Sequence, residues 1–386
     1  MSMRCGWATS AALAAWTLLF SCAVAVGQEA DSRNALHALA GKPEKPRFEL
    51  TDRVWPAKPG EAAVCLWADD KLAAASITID DNWAPDHPWW IAMGEKTGFR
   101  FTWFVITERV GGGLWGTWDD FRKLKTLGHD VQSHTVSHLR GELDIVAEYR
   151  DSKATLEKEI PDHRVIVLAY PGGKHTVQND PAVAARYYIA GRGTVGAPNQ
   201  ANRTDYLQTN SATINEELVN KILDKEQLKR GLYGYYRGWL CSHYHGVRYG
   251  KTDEEKQANA EKIAANLMYL KSKEADVWVG LFREVVLYGQ QRDTATLKVA
   301  AADDKGIRFV LTDRMDDALY SFPLTVKVRV DNAWTTVAAT QGDKPVEARL
   351  VEHEGGKFAL VKAVPDRGEV TLRPAAPSPA TEPRPL

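Results

Sequence analysis

The chain has 386 residues, with 49 Lys and Arg against 50 Asp and Glu for a formal charge of -1. So even a balance, with no basic run, argues against nucleic acid as a partner, because nothing supplies the phosphate neutralisation such binding needs. The length exceeds one typical domain and predicts two.

Residues 1–27 carry a single charge, Arg4, then an apolar run from Ala11 to Phe20 and small residues up to Gly27. This is the order of a secretory signal. The mature chain is expected to begin near Gln28, and removal of Arg4 takes the formal charge from -1 to -2. The apolar run is short for a bilayer, and no later stretch reaches the ~20 apolar residues a membrane helix needs. The expectation is a secreted or periplasmic protein with no membrane span. Leu19-Phe20-Ser21-Cys22 loosely follows a lipobox, so a lipid anchor through Cys22 is the alternative. With Cys5 and Cys22 removed, Cys65 and Cys241 remain, either as a disulfide or as two buried thiols.

A lead-in over residues 28–71 precedes a region, 72–291, in which short apolar segments alternate with helical patterns. Strands are predicted at Ala74–Ile79, Phe101–Ile106, His129–Ser133, Val165–Tyr170, Tyr187–Gly191, Trp239–His243 and Val277–Gly280. Among the helices, one carries Trp118, Phe121, Leu124 and Leu127 behind Thr117 and Asp120, and another follows Thr252 and Glu255. Both openings are capping boxes. Seven strand-helix units imply parallel strands with crossover helices, better closed as a barrel than spread as a flat sheet. Residues 292–373 change character, with strand-like runs such as Leu324–Val330 and Phe358–Val361 between Gly, Asp and Pro turns. They read as a C-terminal all-β accessory domain, and 374–386 as a disordered tail.

The unusual polar residues fall at strand ends. Asp80-Asp81 closes the first strand, His134 the third with His138 just beyond, Tyr170-Pro171-Gly172-Gly173 the fourth, Arg192 the fifth and His243-Tyr244-His245 the sixth. In a parallel barrel these ends share the face where active sites assemble. Two adjacent carboxylates repel unless a cation lies between them. Histidines four apart reach one ion if the chain turns into a helix there, and one carboxylate with two imidazoles suits zinc with open positions. The plainer alternative is a turn at Asp80-Asp81 and two exposed helix neighbours.

The combination of Thr78-Ile79-Asp80-Asp81 with His134-Thr135-Val136-Ser137-His138 resembles the polysaccharide deacetylase family of NodB-type carbohydrate esterases. The resemblance covers roughly Ala74 to Gln290. It implies a distorted seven-stranded α/β barrel, one divalent ion held by Asp81, His134 and His138, and Asp80 as catalytic base. The family's Arg-x-Pro-aromatic-Gly motif is met by Ala169-Tyr170-Pro171-Gly172-Gly173, so its arginine and aromatic are absent. The Gly172 N–H stands where the family places an oxyanion donor. Arg192 is either a replacement guanidinium beside Asp80 or an ordinary surface arginine. His245 is preferred over His243 as general acid, and His129 and His175 are read as structural or peripheral. Tyr170 and the adjacent indoles Trp89 and Trp90, expected in a Pro-flanked loop, are the candidate substrate contacts, with Trp83 and Trp115 nearby. The implied activity is removal of N-acetyl or O-acetyl groups from a polysaccharide with zinc. Against it stand a silent carbohydrate-binding protein on the same barrel and a small-amide hydrolase.

Overall fold

A computed structural model describes residues 43–140, 144–173, 179–303 and 306–375. The expected signal segment with Cys22, His175 and residues 376–386 lie outside the described residues. The lead-in contributes a strand, β1 (Ala62–Val64). It is followed by β2 (Ala73–Asp80), whose eight residues are all buried. Burial on both faces is the property of a central parallel strand, and explains why Ala73-Ala74-Ala75-Ser76-Ile77 shows no alternation.

Next in the chain come β3 (Thr102–Val105), β4 (Asp130–Ser133), β5 (Val167–Ala169), β6 (Ala190–Arg192), β7 (Trp239–Tyr244) and β8 (Val277–Val279). These join β2 in one sheet of order β6-β5-β4-β3-β2-β7, with β8 also pairing β2. All pairings within it are parallel. The sheet curls into a barrel whose gap between β6 and β7 is crossed by irregular chain. Thr209 bridges Arg192 on one side and Asn199 bridges Trp239 on the other.

Helices on the outside are α1 (His87–Thr97), α2 (Trp118–Thr126), α3 (Ile145–Glu159), α4 (Pro181–Ala184), α5 (Glu216–Leu223), α6 (Asp253–Ser272) and α7 (Phe282–Thr294). Both expected capping boxes form, Thr117 with Asp120 and Thr252 with Glu255. Each is worth about 1 kcal/mol at a helix start.

Beyond α7 the chain is all β: β9 (Thr296–Asp303), β10 (Gly306–Thr312), β11 (Leu324–Val330), β12 (Val337–Gln341), β13 (Lys344–Val346), β14 (Ala348–His353), β15 (Gly356–Ala363) and β16 (Val370–Pro374). They form two antiparallel sheets, β1-β11-β15-β14 and β13-β12-β16-β10-β9. The linear partition therefore breaks at two places. β1 pairs with β11 in the register Ala62 to Val328, so the lead-in completes the C-terminal sheet, and Pro374 ends a strand rather than starting a tail. One continuous core joins Phe104, Trp239 and Phe282 of the barrel to Ile307, Val326 and Val361 of the sheets. Cys65 and Cys241 are both buried free thiols; burial pushes the Cys241 thiol up to about 12.

Candidate active site

β2 delivers Asp80 to the barrel mouth, after which Asp81 (φ 69) and Asn82 (φ 61) reverse the chain in left-handed conformations. Asp and Asn tolerate that region better than other side chains. The buried Asn82 amide locks the reversal: its Nδ2 donates to the Ile106 carbonyl at 2.9 Å and its Oδ1 accepts from the Ile106 N–H at 2.9 Å.

His134 follows β4, and its Nδ1 lies 2.8 Å from the Ala169 carbonyl. A carbonyl only accepts, so Nδ1 carries the proton and Nε2 presents a lone pair. That Nε2 is 3.4 Å from Asp81 Oδ1, and His138 Nε2 is 3.5 Å from the same oxygen. The segment between the histidines is not the helical turn expected. Thr135 (φ 67), His138 (φ 61) and Leu139 (φ 55) are left-handed, and the loop is held from α3 by Glu148. One Glu148 oxygen accepts the Val136 and Ser137 N–H groups at 2.9 and 3.0 Å, and the other accepts the Ser137 hydroxyl at 2.6 Å.

The three ligand atoms lie within 4.8 Å of one another, and Asp81 Oδ1 is buried with no hydrogen-bond donor. Acceptors facing one another without a donor ask for a cation between them. Ligands about 2.0–2.2 Å from a tetrahedral zinc-type ion stand roughly 3.4 Å apart, close to the Asp81 separations. The donor set fits a divalent cation. Burial raises the Asp81 carboxyl, but the His134 and His138 rings outweigh it and hold it below the usual range. Burial and His134 push His138 down to about 4, leaving it in the neutral, ligating form.

Asp80 is 2% exposed, and its Oδ2 accepts from Nη2 of Arg192, which is fully buried at the end of β6. Burial pushes Asp80 up; Arg192 and the neighbouring histidines pull it down further, so its carboxylate is held ionised. The other oxygen, Oδ1, is buried with no partner. The origin of Arg192 is legible in the register: β5 and β6 pair Ala169 with Arg192. The guanidinium missing at Ala169 arises from the adjacent strand at the same level, over the Phe104 ring at 5.5 Å.

On β7, His243 Nδ1 is 2.8 Å from Ser211 Oγ, which itself donates to the Gly193 carbonyl at 2.6 Å. Ser211 therefore accepts from His243, and burial with Arg192 beside it pushes His243 down to about 4. His245 is exposed and lines a groove of about 260 Å³ together with Asp81, Trp83, Trp115, Arg248 and Tyr249. A second clamp positions this loop: Val247 N–H donates to the buried Asp86 at 2.8 Å, and Gly246 N–H to the Tyr249 hydroxyl at 2.7 Å. Gly172 sits exposed in the turn after β5 with φ 67.

Three expected substrate contacts fall elsewhere. Trp89 and Trp90 belong to α1, not a loop, because Pro88 occupies the helix opening where a missing N–H costs nothing. Trp90 is fully buried against Phe101 and Tyr244, and Trp89 is half-buried edge-on to Trp90. Tyr170 is buried, its hydroxyl donating to the Leu207 carbonyl at 2.8 Å. His129 is structural, stacked on Phe101 and accepting the Phe101 N–H at 3.1 Å. Sequence reasoning did not single out Glu148, Asp86, Ser211, Arg248 or Tyr249. The spacing of Glu148 behind Ser137 was the signal available.

A family model described as polysaccharide deacetylase matches residues 69–187, the span that includes both ligand motifs. A gellan lyase from Bacillus sp is 39% identical over 349 residues, covering 84% of this chain and 14% of that protein. The putative polysaccharide deacetylase YxkH of Bacillus subtilis (strain 168) is 25% identical over 152 residues, covering 38% of this chain and 53% of its own. The chain thus spans about one seventh and about half of these relatives. Among solved structures, the Streptococcus pyogenes deacetylase PplD in complex with acetate aligns at 24% identity and TM-score 0.34, over 39% of this chain and 70% of that one. A putative polysaccharide deacetylase from Mycobacterium smegmatis aligns at 14% and TM-score 0.36, over 60% and 93%. The segment 69–187, which carries both ligand motifs and the first strands of the barrel, is thus similar to the polysaccharide deacetylase family.

Proposed function

We propose that this chain is an exported, divalent-metal-dependent deacetylase that hydrolyses N-acetyl or O-acetyl groups on a polysaccharide. The observation that carries the reading is the convergence of Asp81, His134 and His138 beside the buried Asp80 and Arg192 pair. Zinc suits one carboxylate and two imidazoles with an open position for water. When bound, it would lower the pKa of a water and polarise the acetyl carbonyl.

The protein's own groups do the rest. Asp80 Oδ1 accepts the proton of the attacking water, and Arg192 keeps that carboxylate ionised to receive it. The Gly172 N–H donates to the developing oxyanion. His245 hands a proton to the departing sugar nitrogen or oxygen; His243 is held neutral with Nδ1–H committed to Ser211. Acetate and a free amine or hydroxyl leave. A silent binding protein is suggested by the missing third-motif arginine and aromatic; Arg192 beside Asp80 supplies the guanidinium, while the aromatic position remains Gly172. A polysaccharide is favoured over a small amide by the aromatics Trp83 and Trp115 that line the groove and by the likeness to a gellan lyase. Export rests on residues 1–27, with the Cys22 anchor as the alternative; the first residue of the exported protein decides between Gln28 and Cys22.

The experiment is acetate release from acetylated chitin oligomers, peptidoglycan and acetylxylan by residues 28–386, chelated and zinc-restored side by side. Zinc-dependent acetate from any of them supports the reading. Silence across the panel with zinc bound overturns it.

A further inference from the structure

The groove that opens onto Asp81 is rimmed by positive charge. Arg248 lines it directly with Trp83, Trp115 and Tyr249. The Arg109 guanidinium stacks 4.7 Å from the Trp115 ring centroid. Arg140 is exposed two residues after His138, at the end of the ligand loop. Arg109 and Arg140 feel each other: burial first, then Arg140, hold Arg109 below its ordinary value against the pull of Asp81. Among the described residues none of these three arginines has a carboxylate within ion-pair distance, whereas Arg192 of the same site is paired with Asp80.

Like charges left together beside a cation site are unfavourable unless an anion joins them, and such a cleft concentrates anionic ligands. The guanidinium fork matches a carboxylate in two parallel hydrogen bonds, while the indole and phenol faces beside it offer apolar surface to a sugar ring.

We propose that this groove takes a uronic-acid residue of the glycan, its carboxylate held by the arginine rim while the neighbouring acetylated sugar lies at Asp81. The proposal rests on the deacetylase reading and names its substrate class as a carboxylated polysaccharide. It makes Arg248 and Arg109 specificity residues.

The test uses the zinc-loaded protein with an acetylated, uronate-bearing oligosaccharide and its carboxyl-reduced neutral counterpart, comparing kcat/KM. The expected preference for the carboxylated form is about tenfold or more at low salt, shrinking toward unity at roughly 0.5 M salt, as exposed charge pairing must. Arg248→Gln and Arg109→Gln should each lower that ratio, through KM. A wild-type ratio of one, a ratio that ignores both salt and the substitutions, or a stronger preference for a sulfated analogue overturns the proposal. Turnover of the neutral oligosaccharide without any preference leaves the deacetylase reading standing and removes this one. If both substrates are silent with zinc bound, affinity electrophoresis through gels of the carboxylated or the neutral polymer decides alone. Retardation confined to the carboxylated gel and lost in Arg248→Gln supports the groove, and equal mobility in both overturns it.

Discussion

Asp80 and Asp81 are neighbours in sequence with separate surroundings: one is locked to a buried guanidinium, the other faces two imidazoles. Their substitutions should therefore differ in kind. Asp80→Asn is expected to keep zinc stoichiometry by atomic absorption while losing about 10²-fold or more in kcat, the worth of a general base. His134→Ala should lose both zinc and turnover, and full activity in Asp80→Asn would remove the mechanism. Arg192→Ala leaves a buried carboxylate without its partner, which costs about 3–5 kcal/mol. The chelated variant should unfold at a markedly lower urea midpoint than the wild type, and an unchanged midpoint would mean the pair is not buried as described. The ligands were legible because carboxylates and imidazoles at the ends of apolar strands have no packing reason to be there. Glu148 was not, since an acid in the first turn of a helix is also explained by the helix dipole.

At the level of elements, the informative feature is the β5 to β6 register. Motif comparison along the sequence marks Ala169 as a lost arginine, but neighbouring strands exchange side chains across a barrel wall without any trace in linear spacing. Tyr170 was misread for the same reason. Its ring lies against Gly191 on the next strand, where an added Cβ would meet it at 2.3 Å, so the tyrosine packs sideways into the wall instead of into the groove. Gly191→Ala is expected to destabilise by about 1–3 kcal/mol through overpacking and to reduce turnover by displacing Arg192. A crystal structure or melting curve indistinguishable from wild type would refute that packing. Seven strands, their parallel order and two capped helices were readable from periodicity. The curvature of the segment closing β6 to β7 was not, because bridges at Thr209 and Asn199 carry no repeating pattern.

For the whole molecule, the boundary drawn at residue 291 does not separate two cores. Phe282, Val285, Val286 and Tyr288 of α7 are buried in the cluster shared with the antiparallel sheets, and the Tyr288 hydroxyl donates to the Cys65 carbonyl at 2.8 Å. Residues 72–291 made alone should be insoluble or lack a cooperative melt, and a soluble, sharply melting fragment would count against a shared core. Acid should also loosen the chelated protein. Burial pushes His87, His129 and His243 each down to about 4. Unfolded imidazoles take up a proton below about 6.5 while these native ones do not until near 4. Stability is therefore full above 6.5 and falls as pH drops from 6.5 to 4, by at most about 3 kcal/mol per residue. A urea midpoint equal at pH 7.5 and pH 5 would contradict this.

The pairing of β1 with β11 has a consequence in time. Ala62 leaves the ribosome well before its partner Val328, with the whole barrel made in between. β1 waits unpaired until β11 has been made. Contacts between such distant segments slow folding, because the loop must close before they reward it. Until β11 emerges, the edge of β1 stays unpaired, and folding of this antiparallel sheet must follow synthesis of the barrel rather than accompany it.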